Sequence, residues 1–248
     1  MAGRGQAMAS DRQRPMKITA EYGKLTPVMD DNRLFMVGVI HRDKEGPALL
    51  RNWVEQIDPD VITLELSRYG VQLRMDRGKE FRARIHKVLR GLEADGVFPN
   101  EEAVSMLLAY LAIPYEFEVA ARYAGPRGIP LHLVDMDFFS YVKLQKIEEL
   151  LSEENIRRMA CQDTLSDEGK EKVMARLVFE KGLKIAPYDD EMYVRDKYIT
   201  GRIRLLMEDH SNKKFLHVCG WQHLQDPANL YGPLNPAKVF FYDKTLCL

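Results

Sequence analysis

Short runs of aliphatic and β-branched residues, separated by helical patterns, restrict this chain to a small set of architectures. Leu34 to Val39, Val61 to Leu66, Pro130 to Val134 and Lys214 to Cys219 read as strands buried on both faces, with a fifth at Lys238 to Tyr242. Between the first two, Pro47 to Ile57 is apolar at Leu49, Leu50, Trp53, Val54 and Ile57, and Pro59 stops the helix before the next strand. A strand, a helix and a second strand at this spacing form a parallel crossover. The expected class is an α/β fold with a central, mostly parallel sheet flanked by helices.

Two longer helical blocks interrupt that alternation. Ser67 to Gly125 holds two or three helices, including Lys79 to Ala94 and Glu101 to Gly125 with a break at Pro114; Phe139 to Met207 is broken near Ser166 and near Pro187. These long insertions are expected to form a cap over the sheet. No repeat signals a solenoid, and no low-complexity linker divides the chain. Residues 18–248 therefore read as one domain behind a loose basic tail, 1–17, which carries Arg4, Arg12, Arg14 and Lys17 and no apolar signal-peptide core.

Composition narrows the partners. Lys and Arg total 36 against 37 acids, a net charge of -1, so nothing marks a nucleic-acid or membrane-surface binder. The longest apolar stretches, Leu34 to Ile40 and Ala103 to Ile113, fall short of the roughly 20 residues that cross a bilayer. Cys161, Cys219 and Cys247 are odd in number and widely spaced, which fits a reducing, cytoplasmic setting better than a disulfide framework. A small-molecule or peptide substrate is the expected partner.

In a parallel α/β sheet, ligands bind beyond the carboxyl ends of the strands, so ionisable residues there are the informative ones. The first strand leads into Gly38-Val39-Ile40-His41, the second into Glu65, the third into Asp135 and Asp137, and the fourth into Gly220-Trp221-Gln222-His223. Glycine three before histidine is a weak signal alone in a chain with 16 glycines and six histidines. The shared position of the two motifs after buried strands is what selects His41 and His223 over polar loop histidines bonded to backbone. His86, His132, His210 and His217 lack that placement and read as structural; Cys219, inside a strand, reads as a small hydrophobe.

Charges on apolar helix faces add candidates. In the helix from Asp189 to Met207, Arg195 lies between Met192 and Ile199 on the core-facing stripe, and Arg202 shares it; either one can pair with Glu65 or bind a substrate oxyanion. Glu118 has Arg122 four residues on, as in an exposed ion pair, whereas Glu116 shares a face with Ile113, Val119 and Ala120 and is a site acid or a buried structural one.

Together these residues resemble the TraB and PrgY proteins, related to the Tiki proteases and more distantly to erythromycin-esterase-like and ChaN-like proteins. The resemblance runs from about Arg33 to Leu224. It rests on Val37-Gly38-Val39-Ile40-His41, on Pro59 to Leu66, on Glu116 with Ala120 and Ala124, on Leu133-Val134-Asp135, on Arg195-Asp196 and on Gly220 to Leu224. It implies a hydrolase-like fold whose site is His41, Glu65, Glu116, Arg195 and His223, with Asp135 as a further member. In the Tiki branch the activity is metal-dependent peptide cleavage; in the erythromycin-esterase branch it is ester hydrolysis without a metal. The chain departs from the pattern at Val39, Met136 and Val194, where threonine, arginine and glutamate are usual.

The leading expectation is metal-assisted hydrolysis of a peptide or ester bond, with His41, His223 and Glu65 or Glu116 holding zinc, manganese or cobalt, and Arg195 on the developing oxyanion. A second version needs no metal and uses His41 or His223 as general base, oriented by Glu65. The alternative is a non-catalytic module that binds haem, metal or peptide through the same histidines.

Overall fold

The computed structural model describes residues 32–161, 167–181 and 188–243. The expected basic tail, Cys247 and the helix breaks near Ser166 and Pro187 lie outside them. Five strands, β1 (Leu34–Val39), β2 (Val61–Leu64), β3 (Leu131–Leu133), β4 (Phe215–Gly220) and β5 (Ala237–Phe240), form one sheet in the order β3-β2-β4-β1-β5. Every pairing is parallel, so the mostly parallel sheet expected from the sequence is parallel throughout. All residues of β1, β2 and β4 are buried, which explains why their sequences run apolar without alternation. The edge strand β3 is short and half-buried.

The described helices are α1 (Gly46–Ile57), α2 (Arg68–Ala94), α3 (Glu101–Leu111), α4 (Tyr115–Ala124), α5 (Asp137–Leu144), α6 (Ile147–Leu150), α7 (Glu153–Ala160), α8 (Asp167–Lys181) and α9 (Asp190–Asp209). On α1, Leu50, Trp53, Val54 and Ile57 are buried, each contributing about 1.5–3 kcal/mol of hydrophobic stabilisation. The helix stops at Asp58, whose φ of 47° is left-handed, just before Pro59. The helix α2 begins at Arg68 rather than Lys79, because the Ser67 hydroxyl accepts from Gly70 N and caps the extra turns.

Two apolar clusters form. One packs the sheet against α1, α4 and Ile199 and Ile203 of α9. The other, built around Phe81, Ile85, Leu107, Leu144 and Ile156, joins α2, α3, α5, α6 and α7. Only part of the two long insertions forms a cap: Val71 and Arg74 of α2, Tyr110 of α3 and Ser140 of α5 line a cavity at the carboxyl ends of the strands, whereas α4 and α9 pack on the sheet itself. Among the described residues no single helix is long and apolar enough to cross a membrane.

Candidate active site

Strand register sets the site. Val39 pairs with Gly220 and Leu64 with Val218, so β1, β2 and β4 end close to one level and release His41, Glu65 and the Trp221–Gln225 turn into the same space. The two glycines of the repeated motif serve different ends. A Cβ on Gly38 would sit 2.5 Å from Leu224 Cδ1 and 3.0 Å from Trp221 Cα, so its absence lets the second motif pack on β1. A Cβ on Gly220 would sit 3.0 Å from His41 Nε2 and 3.6 Å from both Glu65 Oε2 and His223 Cδ2, so its absence keeps the space between these side chains open. Gly220→Ala is accordingly expected to push the His41 ring aside, which a shift of the His41 ring resonances against wild type would report.

All five expected residues and Asp135 line one cavity of about 600 Å³. They divide into two systems. In the first, His41 Nδ1 and Glu116 Oε1 lie 2.7 Å apart; the Glu116 side chain is 4% exposed and that of His41 42%. Burial alone would lower the His41 imidazole, but the hydrogen bond and charge of Glu116 and the charge of Glu65 outweigh it and raise its pKa above 6.5. Glu118, by contrast, is exposed.

The second system is a buried chain of alternating charge. Arg195 grips Asp135 through Nε (3.2 Å) and Nη2 (2.8 Å), and Nη2 also donates to Glu65 Oε1 at 2.6 Å. His223 Nε2 donates to that same Oε1 at 2.9 Å, while its Nδ1 bonds Asp196 Oδ1. The other oxygen of Glu65 accepts from Gly220 N at 2.7 Å. Desolvation opposes the imidazolium, yet Glu65 and Asp196 overcome it and raise the His223 pKa to about 10. Desolvation likewise opposes the Glu65 carboxylate, and His223 and Arg195 overcome it and hold its pKa far below the usual carboxylate range.

Comparison with protein-family models, with curated proteins and with solved structures found no match. The chemistry must be read from these residues themselves.

His41, Glu65 and His223, the ligands expected for a divalent cation, come together, with His223 Nε2 on Glu65 and His41 Nε2 at the open space beside Gly220. His223 spends both ring nitrogens on carboxylates and turns carbon Cδ2 toward the open space, and both Glu65 oxygens accept from protein donors. Among the described residues no three His, Cys, Asp or Glu groups are arranged to hold a metal ion.

Asp196 escaped the sequence reading as a site residue in its own right. It is fully buried, holds His223, and accepts from Tyr231 Oη at 3.0 Å and Tyr188 Oη at 2.7 Å. The signal was present one position along: the buried stripe of α9 runs Asp196, Ile199, Thr200, Ile203, with Arg195 at its edge. Arg202 is half-buried and makes no bond to Glu65, so Arg195 alone takes that place. His86, His132, His210 and His217 do not line the cavity; His217 bonds Thr63 inside the sheet, and burial pushes its pKa down to about 4. The thiol of Cys219 is buried and pushed up, as befits a small hydrophobe.

The charge chain has a pH signature. The folded pKa of His223 is raised, so its stabilising contribution is complete below the unfolded value of about 6.5 and is lost as pH climbs through about 10. The folded pKa of Glu65 is depressed, so its contribution is complete above about 4.5 and is lost as pH falls below that. Thermal midpoints across pH 3–10 are expected to peak between about 5 and 6.5 and to decline on both sides. A midpoint that rises steadily from pH 6.5 to 10 would contradict a buried imidazolium.

Proposed function

We propose that this protein is a hydrolase of an ester or peptide bond, of the TraB and Tiki type that its motifs resemble, working by general-base catalysis on water. The observation that carries this reading is the His41–Glu116 pair at 2.7 Å, with the opposite ring nitrogen of His41 at the open space beside Gly220. A neutral imidazole donating Nδ1–H to Glu116 keeps its Nε2 lone pair for the cavity, and the carboxylate stabilises the imidazolium that forms when that lone pair takes a proton.

In the step proposed, Nε2 removes a proton from water as the water oxygen attacks the substrate carbonyl carbon. The charge that develops on the carbonyl oxygen meets Arg195, whose Nη1 bonds no protein acceptor among the described residues. The tetrahedral species then expels the leaving group, which collects the proton from His41. Glu65 and His223 stay fixed: one anchors Arg195, and the other is a permanent cation that neutralises Glu65.

The test is a panel of p-nitrophenyl esters and short peptides presented to chelator-treated protein. Turnover that survives chelation and is lost in His41→Ala supports the proposal. Hydrolysis that appears only after zinc, manganese or cobalt is added returns the chemistry to a metal, and equal rates in wild type and His41→Ala overturn the general base.

A further inference from the structure

Among the described residues, one pair of cations lining the cavity makes no ion pair. Arg42 follows His41 directly, and Arg74 faces the cavity from the first turns of α2. Both guanidinium groups lie over the Tyr110 ring, at 5.3 Å and 5.8 Å from its centroid. Arg74 donates to two backbone carbonyls, Gly70 O at 2.8 Å and Tyr110 O at 3.2 Å, and Arg42 makes no hydrogen bond among the described residues.

The carboxylates of the site are committed elsewhere: Glu65 and Asp135 to Arg195, Asp196 to His223, Glu116 to His41. The nearby buried Asp43 is taken by Tyr242 and Lys172. Two like charges are therefore held against one ring, with no acid paired to either among the described residues. Burial and the Arg42 charge both pull Arg74 below the ordinary guanidinium value, although its neighbour Tyr110 works the other way.

The surroundings are donor-rich. A Cβ at Gly70 would lie 2.9 Å from Ser67 Oγ, 3.3 Å from Arg74 Nη1 and 3.5 Å from Ser140 Oγ, so two hydroxyls and the Arg74 guanidinium gather about Gly70, and both serines line the cavity. Arg42 itself is held at φ 64°, a left-handed conformation that a long side chain rarely adopts. Strained residues of this sort gather at ligand-binding positions. Arg42 is exposed and Arg74 half-buried, so the two guanidinium groups stand at the mouth of the cavity, where their planar forks suit a carboxylate or phosphate.

We infer that the cavity takes a substrate bearing an anionic group, carboxylate or phosphate, which Arg42 and Arg74 hold while the bond to be cleaved faces His41. The second half rests on the hydrolase proposed above; the anion site stands on its own geometry.

Two measurements on the full chain separate the halves. Calorimetric titration with glutarate and with inorganic phosphate, each in buffer free of the other, is expected to show saturable binding of at least one. That binding should weaken about tenfold or more in Arg42→Asn and in Arg74→Met, the loss of one charge-assisted contact. The stronger of the two ligands tells which source of the anion the site prefers. Arg42→Asn removes no hydrogen bond among the described residues and suits a left-handed residue, so it reads binding even where Arg74→Met perturbs folding.

The second measurement compares kcat/KM for p-nitrophenyl acetate and for the mono-p-nitrophenyl ester of glutarate. A preference of about tenfold for the anionic ester, shrinking toward parity in both variants, is the expected result. Arginine-dependent binding with neither ester hydrolysed would keep the anion site and sink the hydrolase. Hydrolysis of both esters without preference, with no binding of glutarate or phosphate, would overturn the anion site and leave the hydrolase standing. Binding that the two variants do not alter overturns the assignment to Arg42 and Arg74.

Discussion

Glu65→Ala is expected to destabilise the protein by about 3–5 kcal/mol, the cost of leaving buried charges uncompensated. Glu65 is 7% exposed and its two oxygens accept from Arg195, His223 and Gly220 N. Without it, Arg195 retains Asp135 and His223 retains Asp196, but each loses the anion between them, and Gly220 N is stranded in the interior. At about 2–4 °C per kcal/mol for a chain of this size, the thermal midpoint should fall by about 6–20 °C. Urea unfolding gives the free energy directly. Glu148→Ala is the matched control: its pairs with Arg77 and Arg84 are solvent-exposed, and little change is expected. Equal losses in the two variants would mean that the buried chain of charges holds nothing together.

His41→Ala should act in the opposite sense, lowering hydrolysis about 10²–10⁴-fold, the usual worth of a positioned general base. Its effect on folding should be smaller, because its side chain is 42% exposed and the principal loss is the donor to Glu116. That unpaired, buried carboxylate costs about 1–3 kcal/mol. His41→Gln offers an amide in place of the donor and should recover part of the stability and none of the rate. Recovery of both would assign His41 a structural role.

Much of this arrangement is legible in the sequence, for physical reasons. Strands buried on both faces must be continuously apolar, so β1, β2 and β4 announce themselves, and the parallel topology follows from the helix between β1 and β2. Topology then brings residues at strand ends together without further information, which is why His41, Glu65 and His223 meet in one cavity, joined there by Glu116 of α4 and Arg195 of α9. What they do on meeting was less legible. The expected orienting partner of the base was Glu65; in the structure Glu116 bonds His41, and Glu65 belongs to Arg195 and His223. Residue type alone makes His, Glu and His a ligand set, and only the hydrogen bonds reveal that Asp196 claims the far side of His223. Asp196 itself was hidden because a helical stripe read from Met192 and Ile199 is uncertain by one residue, enough to exchange a buried aspartate for its neighbour. Arg42 and Arg74 lie far apart in sequence, and nothing in either segment signals that Tyr110 holds them together.

The most direct test of the His41–Glu116 base is the pH dependence of kcat/KM for chelator-treated protein, measured in wild type and Glu116→Gln. The neutral imidazole is the active form and its folded pKa is raised above 6.5, so wild-type kcat/KM should climb with pH and level off above that value. Glu116→Gln removes the charge that raises it, so the rise should move to lower pH while the plateau falls. A profile that stays put in Glu116→Gln, or activity that appears only when metal is restored, would contradict a metal-free His41–Glu116 base.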